Sequence, residues 1–123
     1  MAARLANVFK SMGLKKGDRI AIQVEKSVTA LCIYAACVQS GIVFLPLNTG
    51  YTSNEIEYFI KDSGSKFLVC DEEKLSEISL KLQDIEIELL TLNEDETGTI
   101  VELAKKQKNI FETVKVNKND LFH

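Results

Sequence analysis

Short apolar runs alternate along this chain with longer stretches whose apolar residues recur every three or four positions, and few folds accept that alternation. Phe67-Leu68-Val69-Cys70 is continuously apolar, as a strand covered on both faces requires. Ile20, Ile22 and Val24 alternate through 19–24 and read as a strand. Val43 to Leu47 is another short run, and Pro46 confines it to a strand end or an edge. The stretches between them carry helical stripes. Leu5, Val8, Phe9 and Met12 share one face, and Gly13 with Leu14 behind it predicts a Schellman ending. Ser27 is placed to cap a helix that runs to about Ser40 and stops at Gly41. Its middle, 30–38, is apolar nearly all round and is expected to be buried on more than one side.

Thr52-Ser53-Asn54-Glu55 has the form of a capping box. The helix it opens is expected to bury Ile56, Phe59 and Ile60 and to end at Ser63-Gly64. Leu75, Ile78 and Leu82 stripe a further helix. Ile85, Ile87 and Leu89 alternate with Glu86 and Glu88, as a strand with one wet face does. Thr99, three residues before Glu102, is placed to cap a last helix to about Lys106. Lys15 to Asp18 reads as a turn, and Asn93 to Gly98 as an exposed loop. The order is a helix, then strand–helix three times, then a fourth strand and helix. It predicts an α/β fold, a mostly parallel sheet with right-handed crossovers and helices on both faces.

The 123 residues suit one domain, 1–123, and the 46% apolar content suffices for a packed core. No apolar run approaches the roughly 20 residues of a membrane-spanning helix, so no membrane partner is expected. Both ends read as cut. Met1 stands beside the first helix without a capping residue, and 119–123 stops as an apolar run begins. The expectation is a partial subdomain of a larger domain. Lost covering at the sheet edges and on the 30–38 helix should make such a fragment self-associate.

Charge is uneven. Residues 71–102 hold eleven acids against Lys74 and Lys81, whereas 1–70 and 103–123 each carry a net charge of +3. The acidic stretch reads as the solvated face of peripheral elements, and without a basic stripe nucleic acid is not an expected partner. Three cysteines, an odd number, fit a reducing compartment and not a disulfide framework.

Chemistry-bearing motifs are absent. Neither G-x-x-x-x-G-K-[ST] nor G-x-G-x-x-G occurs. The single histidine is His123. Cys32 and Cys37 lie about 140° apart around a helix and read as small core residues. Cys70, at a strand end, has no histidine base near it in sequence. Glu55 belongs to the cap and does not pair with Glu57 as acid and base. Asp18, Arg19 and Asp71 adjoin strand ends, where ligands gather in open α/β sheets, but turn and cap roles account for them equally well. No catalytic, cofactor-binding or metal-binding residue is assigned.

Three segments together resemble a known family. Gly13–Gln23 (GLKKGDRIAIQ) is similar to the G-x-x-x-G-D-R-V-A turn and strand of adenylate-forming acyl-CoA synthetases. Gln39–Tyr58 (QSGIVFLPLNTGYTSNEIEY) resembles their x-x-G-A-V-x-x-P-L-N-x-x-Y-T-x-x-E-L-x-Y segment, and Asp62–Asp71 (DSGSKFLVCD) the helix end and strand that follow. The likeness runs from about residue 2 to Asp120 and is weak across 71–116. Within the superfamily, Gln23–Ser27 and Phe44–Thr52 look most like malonyl-CoA synthetases.

The resemblance implies a parent that joins a small carboxylate, malonate first, to coenzyme A using ATP and Mg²⁺, through an acyl-adenylate. The family's T-S-G-T-T-G phosphate loop falls after the position of Asp120-Leu121, so the resemblance implies no catalytic residue here and a chain inert by itself. It carries over scaffold only: the Gly17-Asp18 turn, Pro46, and the Tyr51-Thr52 to Glu55 helix start. Tyr51 is expected to pack and not to bind ligand. A cytoplasmic setting is expected, or the mitochondrial matrix for a parent with a transit peptide. The competing reading is a complete small binding module of flavodoxin-like or receiver-like type, in which Asp71 would be the phosphorylatable aspartate.

Overall fold

The expected order of elements is the observed one. A computed structural model describes residues 1–108. The elements are α1 (Ala2–Ser11), β1 (Arg19–Gln23), α2 (Val28–Ser40), β2 (Val43–Pro46), α3 (Ser53–Ser63), β3 (Phe67–Cys70), α4 (Glu72–Lys81), β4 (Glu88–Thr91) and α5 (Thr99–Lys105). The strands form one parallel sheet in the order β2-β1-β3-β4. Segment 119–123, with its apolar run and His123, lies outside the described residues.

Side-chain alternation along the strands builds two cores. Ile20, Ile22, Phe67, Val69 and Leu90 face α1, α2 and α5, joined by Leu5, Phe9, Ile33 and Ile100. Ala21, Leu68 and Cys70 face α3 and α4, joined by Ile56, Ile60 and Ile78. Phe67 is the pivot of the first core and meets Phe9 edge-to-face at 6.2 Å. All four residues of β3 are buried, as its unbroken apolar run requires.

The helix ends follow local chemistry. After α1, Leu14 N–H donates to Phe9 O and Gly13 N–H to Lys10 O, with Gly13 at φ +86°: the Schellman pair. Ser27 Oγ accepts from Ala30 N–H at 3.0 Å, and the Thr52–Glu55 box is complete on both sides.

Four expectations need correction. The apolar residues of α2 do not wrap it in protein: one face is buried, while Val28, Leu31, Tyr34 and Val38 face outward. Phe59 is only half-buried, because α3 turns Ile56 and Ile60 to the sheet and leaves Phe59 stacked on Tyr51 at 5.0 Å. The fourth strand begins at Glu88, so Ile85 and Ile87 precede the ladder while still packing against the second core. Thr99 is the first residue of α5 and not its cap, a place held by Gly98.

The sheet edges are blunted in part. On β2, Val43 N–H and Leu47 N–H donate to β1 at Asp18 O and Ile22 O. By the two-residue alternation Pro46 sits where a donor would face outward, and it has none. On β4, Glu88 N–H and Leu92 N–H donate to Lys66 O and Cys70 O, which turns Thr91 N–H outward. Thr99 Oγ1 accepts it at 2.8 Å, and Thr91 Oγ1 in return accepts Thr99 N–H at 2.9 Å. Each edge is thus blunted at one position, by the missing donor of Pro46 and by the bonded Thr91 N–H, while by the same alternation Phe44 N–H and Leu89 N–H face outward.

Candidate functional site

Ligands of an open parallel sheet gather beyond the carboxyl ends of its strands, where successive connections diverge. Here that crevice lies between β1 and β3, since the chain leaves β1 towards β2 and β3 towards β4. The buried Gln23 ends β1 and donates through Nε2 to Asn48 O (2.9 Å) and Tyr51 O (3.1 Å). Lys74 Nζ, from the first turn of α4, donates to Thr49 O at 2.9 Å. Two side chains thus fix three carbonyls of the β2–α3 loop over the crevice. Among the described residues Gln23 Oε1 accepts no hydrogen bond.

The N-termini of α2, α3 and α4 lie at this end of the sheet, and each is capped by side chains of the protein itself. At α2, Ser27 is joined by Glu96, whose Oε1 accepts from Thr29 N–H (2.8 Å) and Thr29 Oγ1–H (3.0 Å). At α3, Thr52 and Glu55 close the box. At α4, Asp71 Oδ1 accepts from Glu73 N–H, and Asn93 Oδ1 from Glu72 N–H, both at 2.9 Å. Side chains of the protein itself thus hold two backbone donors at α2, one at α3 and two at α4, groups that could otherwise cradle a phosphate.

Two hollows adjoin the carboxyl end of β4. One, about 560 Å³, lies between α4 and α5 and is floored by Thr91 and Leu103. The other, about 430 Å³, is lined by Asp71, Glu72, Glu73, Glu94 and Asp95 with Asn93. Five carboxylates repel a polyphosphate, and among the described residues no three acidic, histidine or cysteine side chains are grouped to hold a cation.

The residues singled out in the sequence separate in space. Asp18 and Arg19 lie at the amino end of the sheet, opposite Asp71. The Asp18 carboxylate accepts Lys15 N–H at 2.9 Å, closing the turn, and the Arg19 guanidinium donates to Ser63 O. Asp71 is a helix cap, and Glu57 pairs with Lys61 at 3.0 Å. Tyr51 packs on Phe59. Gln23, Lys74 and Glu96 organise the crevice, and sequence reading passed over all three roles. Only Gln23 left a signal there: a polar residue on the strand face that Ala21 shares.

Cys70 is fully buried, and burial pushes its thiol up to about 11, with Asp71 adding to the effect. Burial pushes Cys37 up to about 12. Neither thiol is a nucleophile near neutrality, because both are held protonated. Their folded values stand above the ordinary 9.0, so the stabilising difference is complete below pH 9 and is lost as pH rises towards 11–12. We expect stability to fall by about 1.4 kcal/mol per pH unit per thiol over that window. Denaturant melts from pH 8 to 10.5 check this, and Cys37→Ala should flatten the slope.

The fold is α/β, one parallel sheet with helices on both faces and a crevice at the carboxyl ends of β1 and β3. The chain belongs to the AMP-binding enzyme family, whose model matches residues 1–122. Apo MatB from Rhodopseudomonas palustris superposes at TM-score 0.91 with 41% identity, over 97% of this chain and 24% of that one. A long-chain-fatty-acid–CoA ligase, FadD13 of Mycobacterium tuberculosis, is 35% identical over 69 residues, 56% of this chain and 14% of its own length. The human mitochondrial acyl-coenzyme A synthetase ACSM4 is 31% identical over 94 residues, 73% of this chain and 16% of its own. The chain therefore spans about a seventh to a quarter of these relatives. The competing flavodoxin-like or receiver-like reading is not favoured: the family match runs nearly end to end, and Asp71 is engaged as a cap.

Proposed function

We propose that this chain forms the N-terminal scaffold of an acyl-CoA synthetase that joins malonate to coenzyme A with ATP and Mg²⁺, in a cytoplasmic setting. We also propose that, by itself, it is catalytically inert and self-associates. The carrying observation is the likeness to apo MatB from Rhodopseudomonas palustris at 41% identity, beside the Gln23–Ser27 and Phe44–Thr52 segments that resemble malonyl-CoA synthetases. The side-chain caps at α2, α3 and α4 and the acid-lined hollow support inertness, since acyl and phosphoryl transfer need prepositioned donors or cations where charge develops. What the described residues contribute is rigidity: Gln23 and Lys74 hold one loop, and Glu96 ties another to α2.

Malonate selectivity needs a cation facing the second carboxylate, usually an arginine. Of the two arginines among the described residues, Arg19 is engaged at Ser63 O and Arg4 stands in α1, and neither is assigned that role. The chain alone is expected to give no carboxylate-dependent exchange of labelled pyrophosphate into ATP; exchange above blank would refute inertness. In an extended chain carrying the T-S-G-T-T-G loop, malonate should outrun acetate and a long-chain fatty acid. A tenfold preference for a monocarboxylate, about 1.4 kcal/mol in the transition state, would overturn the malonate assignment alone.

A further inference from the structure

The loop 93–98, between β4 and α5, is bonded to helix starts on both faces of the sheet. On one face the Glu96 carboxylate accepts Thr29 N–H (2.8 Å) and Thr29 Oγ1–H (3.0 Å) in the first turn of α2. On the other, Asn93 Oδ1 accepts Glu72 N–H (2.9 Å) at the start of α4. Since α2 belongs to the first core and α4 to the second, the loop crosses the carboxyl end of the sheet beside the crevice. Its body is bonded to itself. Asn93 N–H donates to Thr97 O (2.7 Å), Glu96 N–H to Asn93 O (2.9 Å) and Thr97 N–H to Asp95 Oδ1 (3.1 Å). A segment bonded in this way moves as one piece.

We propose that 93–98 is a strap that closes the carboxyl end of the sheet and opens as one body, with Glu96 and Asn93 as its two latches. Three observations make it poised and not fixed. First, it has no apolar side chain to bury, and Glu94 to Thr97 are exposed. Segments with few buried apolar contacts sit at the low-stability end of a fold. Second, charge opposes closure. Glu94 and Asp95 share a hollow of about 430 Å³ with Asp71, Glu72 and Glu73, and like charges at this range repel. Third, Glu96 stands at φ +63°, the one non-glycine among the described residues with a positive φ. That conformation is unfavourable for a residue with a Cβ, and the bonds of its carboxylate hold it there. The base of the strap is firm. Leu92 is buried and donates to Cys70 O, and Thr91 and Thr99 exchange bonds beneath it. The pivots therefore lie next to Leu92 and at Gly98, and opening frees the first turns of α2 and α4 together, beside the crevice.

Such a strap needs neither ligand nor turnover, so its failure leaves the ligase assignment standing. The test is exchange of each backbone amide with water, read by NMR on the 123-residue chain. Glu96→Ala removes one latch whole, and Thr29→Val removes only its hydroxyl half. In Glu96→Ala the amides of Thr29 and of Glu72, which belongs to the other latch, should both exchange about tenfold faster, the loss expected for a charge-assisted hydrogen bond. Thr29→Val should move both amides in the same direction by less. Thr91 N–H, at the firm base, should not change. Glu94→Gln takes away one of the repelling charges and should slow Thr29 and Glu72 together. Exchange at Glu72 unchanged by Glu96→Ala would show two independent caps and overturn the strap. So would acceleration that reaches Thr91 N–H, or a Glu94→Gln variant in which both amides exchange as fast as before or faster.

Discussion

Gly98→Ala is expected to lower the melting temperature by about 15 °C or more, or to prevent folding. A Cβ at this position would stand 2.2 Å from Thr91 O and 2.6 Å from Thr91 C, both backbone atoms that cannot swing aside. The backbone is at φ +146°, a conformation that residues with a Cβ rarely adopt. Relief requires the 93–98 loop to move off β4. That movement breaks the Thr91–Thr99 exchange and withdraws Ile100, which is fully buried in the first core. Overpacking and strain together cost about 3–5 kcal/mol, a large fraction of a small domain's stability. At this size each kilocalorie shifts the melting point by roughly 4–8 °C. Calorimetry of the variant checks it. Gly64→Ala serves as the comparison: at φ +66° and ψ +29° it is left-handed helical, which costs a residue with a Cβ less than the backbone of Gly98 does, and its Cβ would meet no atom within 4 Å, so it should cost far less. Equal losses at both glycines would show that neither the contact with β4 nor the unusual backbone of Gly98 carries the cost.

Phe67→Ala should cost about 3–5 kcal/mol, near the upper end for one side chain. Phe67 is 2% exposed, stands on β3 between β1 and β4, and meets Phe9 edge-to-face. Removing the ring opens a cavity bounded by the sheet and by α1, and neither can collapse without breaking strand pairing. Phe59→Ala removes the same atoms from a half-buried position on α3 and should cost no more than about half as much. Urea midpoints for the two variants test the contrast. A loss at Phe59 equal to that at Phe67 would mean that the Tyr51–Phe59 stack belongs to the core.

Much of the fold was legible because its signals are local. A capping box needs only Thr52 and Glu55, a Schellman ending only Gly13 and Leu14, and β3 announces itself by four consecutive apolar residues. These act within a turn or a strand, so their meaning survives without knowledge of neighbours. The errors share the opposite property. α2 is apolar all round in sequence, but which side is covered depends on where α1 and the sheet stand. Phe59 belongs to an apolar stripe, but the stripe is wider than the groove it enters. Thr99 fits a cap pattern, yet Thr91 eight residues earlier offers its hydroxyl a backbone donor.

The sequence by itself determined the element order, the parallel sheet and the family, because periodicity, capping and the three quoted segments are properties of the chain as written. The site was decided otherwise. Gln23 reaches Asn48 and Tyr51, Lys74 reaches Thr49, and Glu96 reaches Thr29 across 67 residues. No local pattern encodes such pairs, since each is a bond between groups that only the strand order β2-β1-β3-β4 brings together. The same holds for the charge-free face of α2. Its residues are written in the chain, but their exposure is a consequence of which face the sheet and α1 leave uncovered.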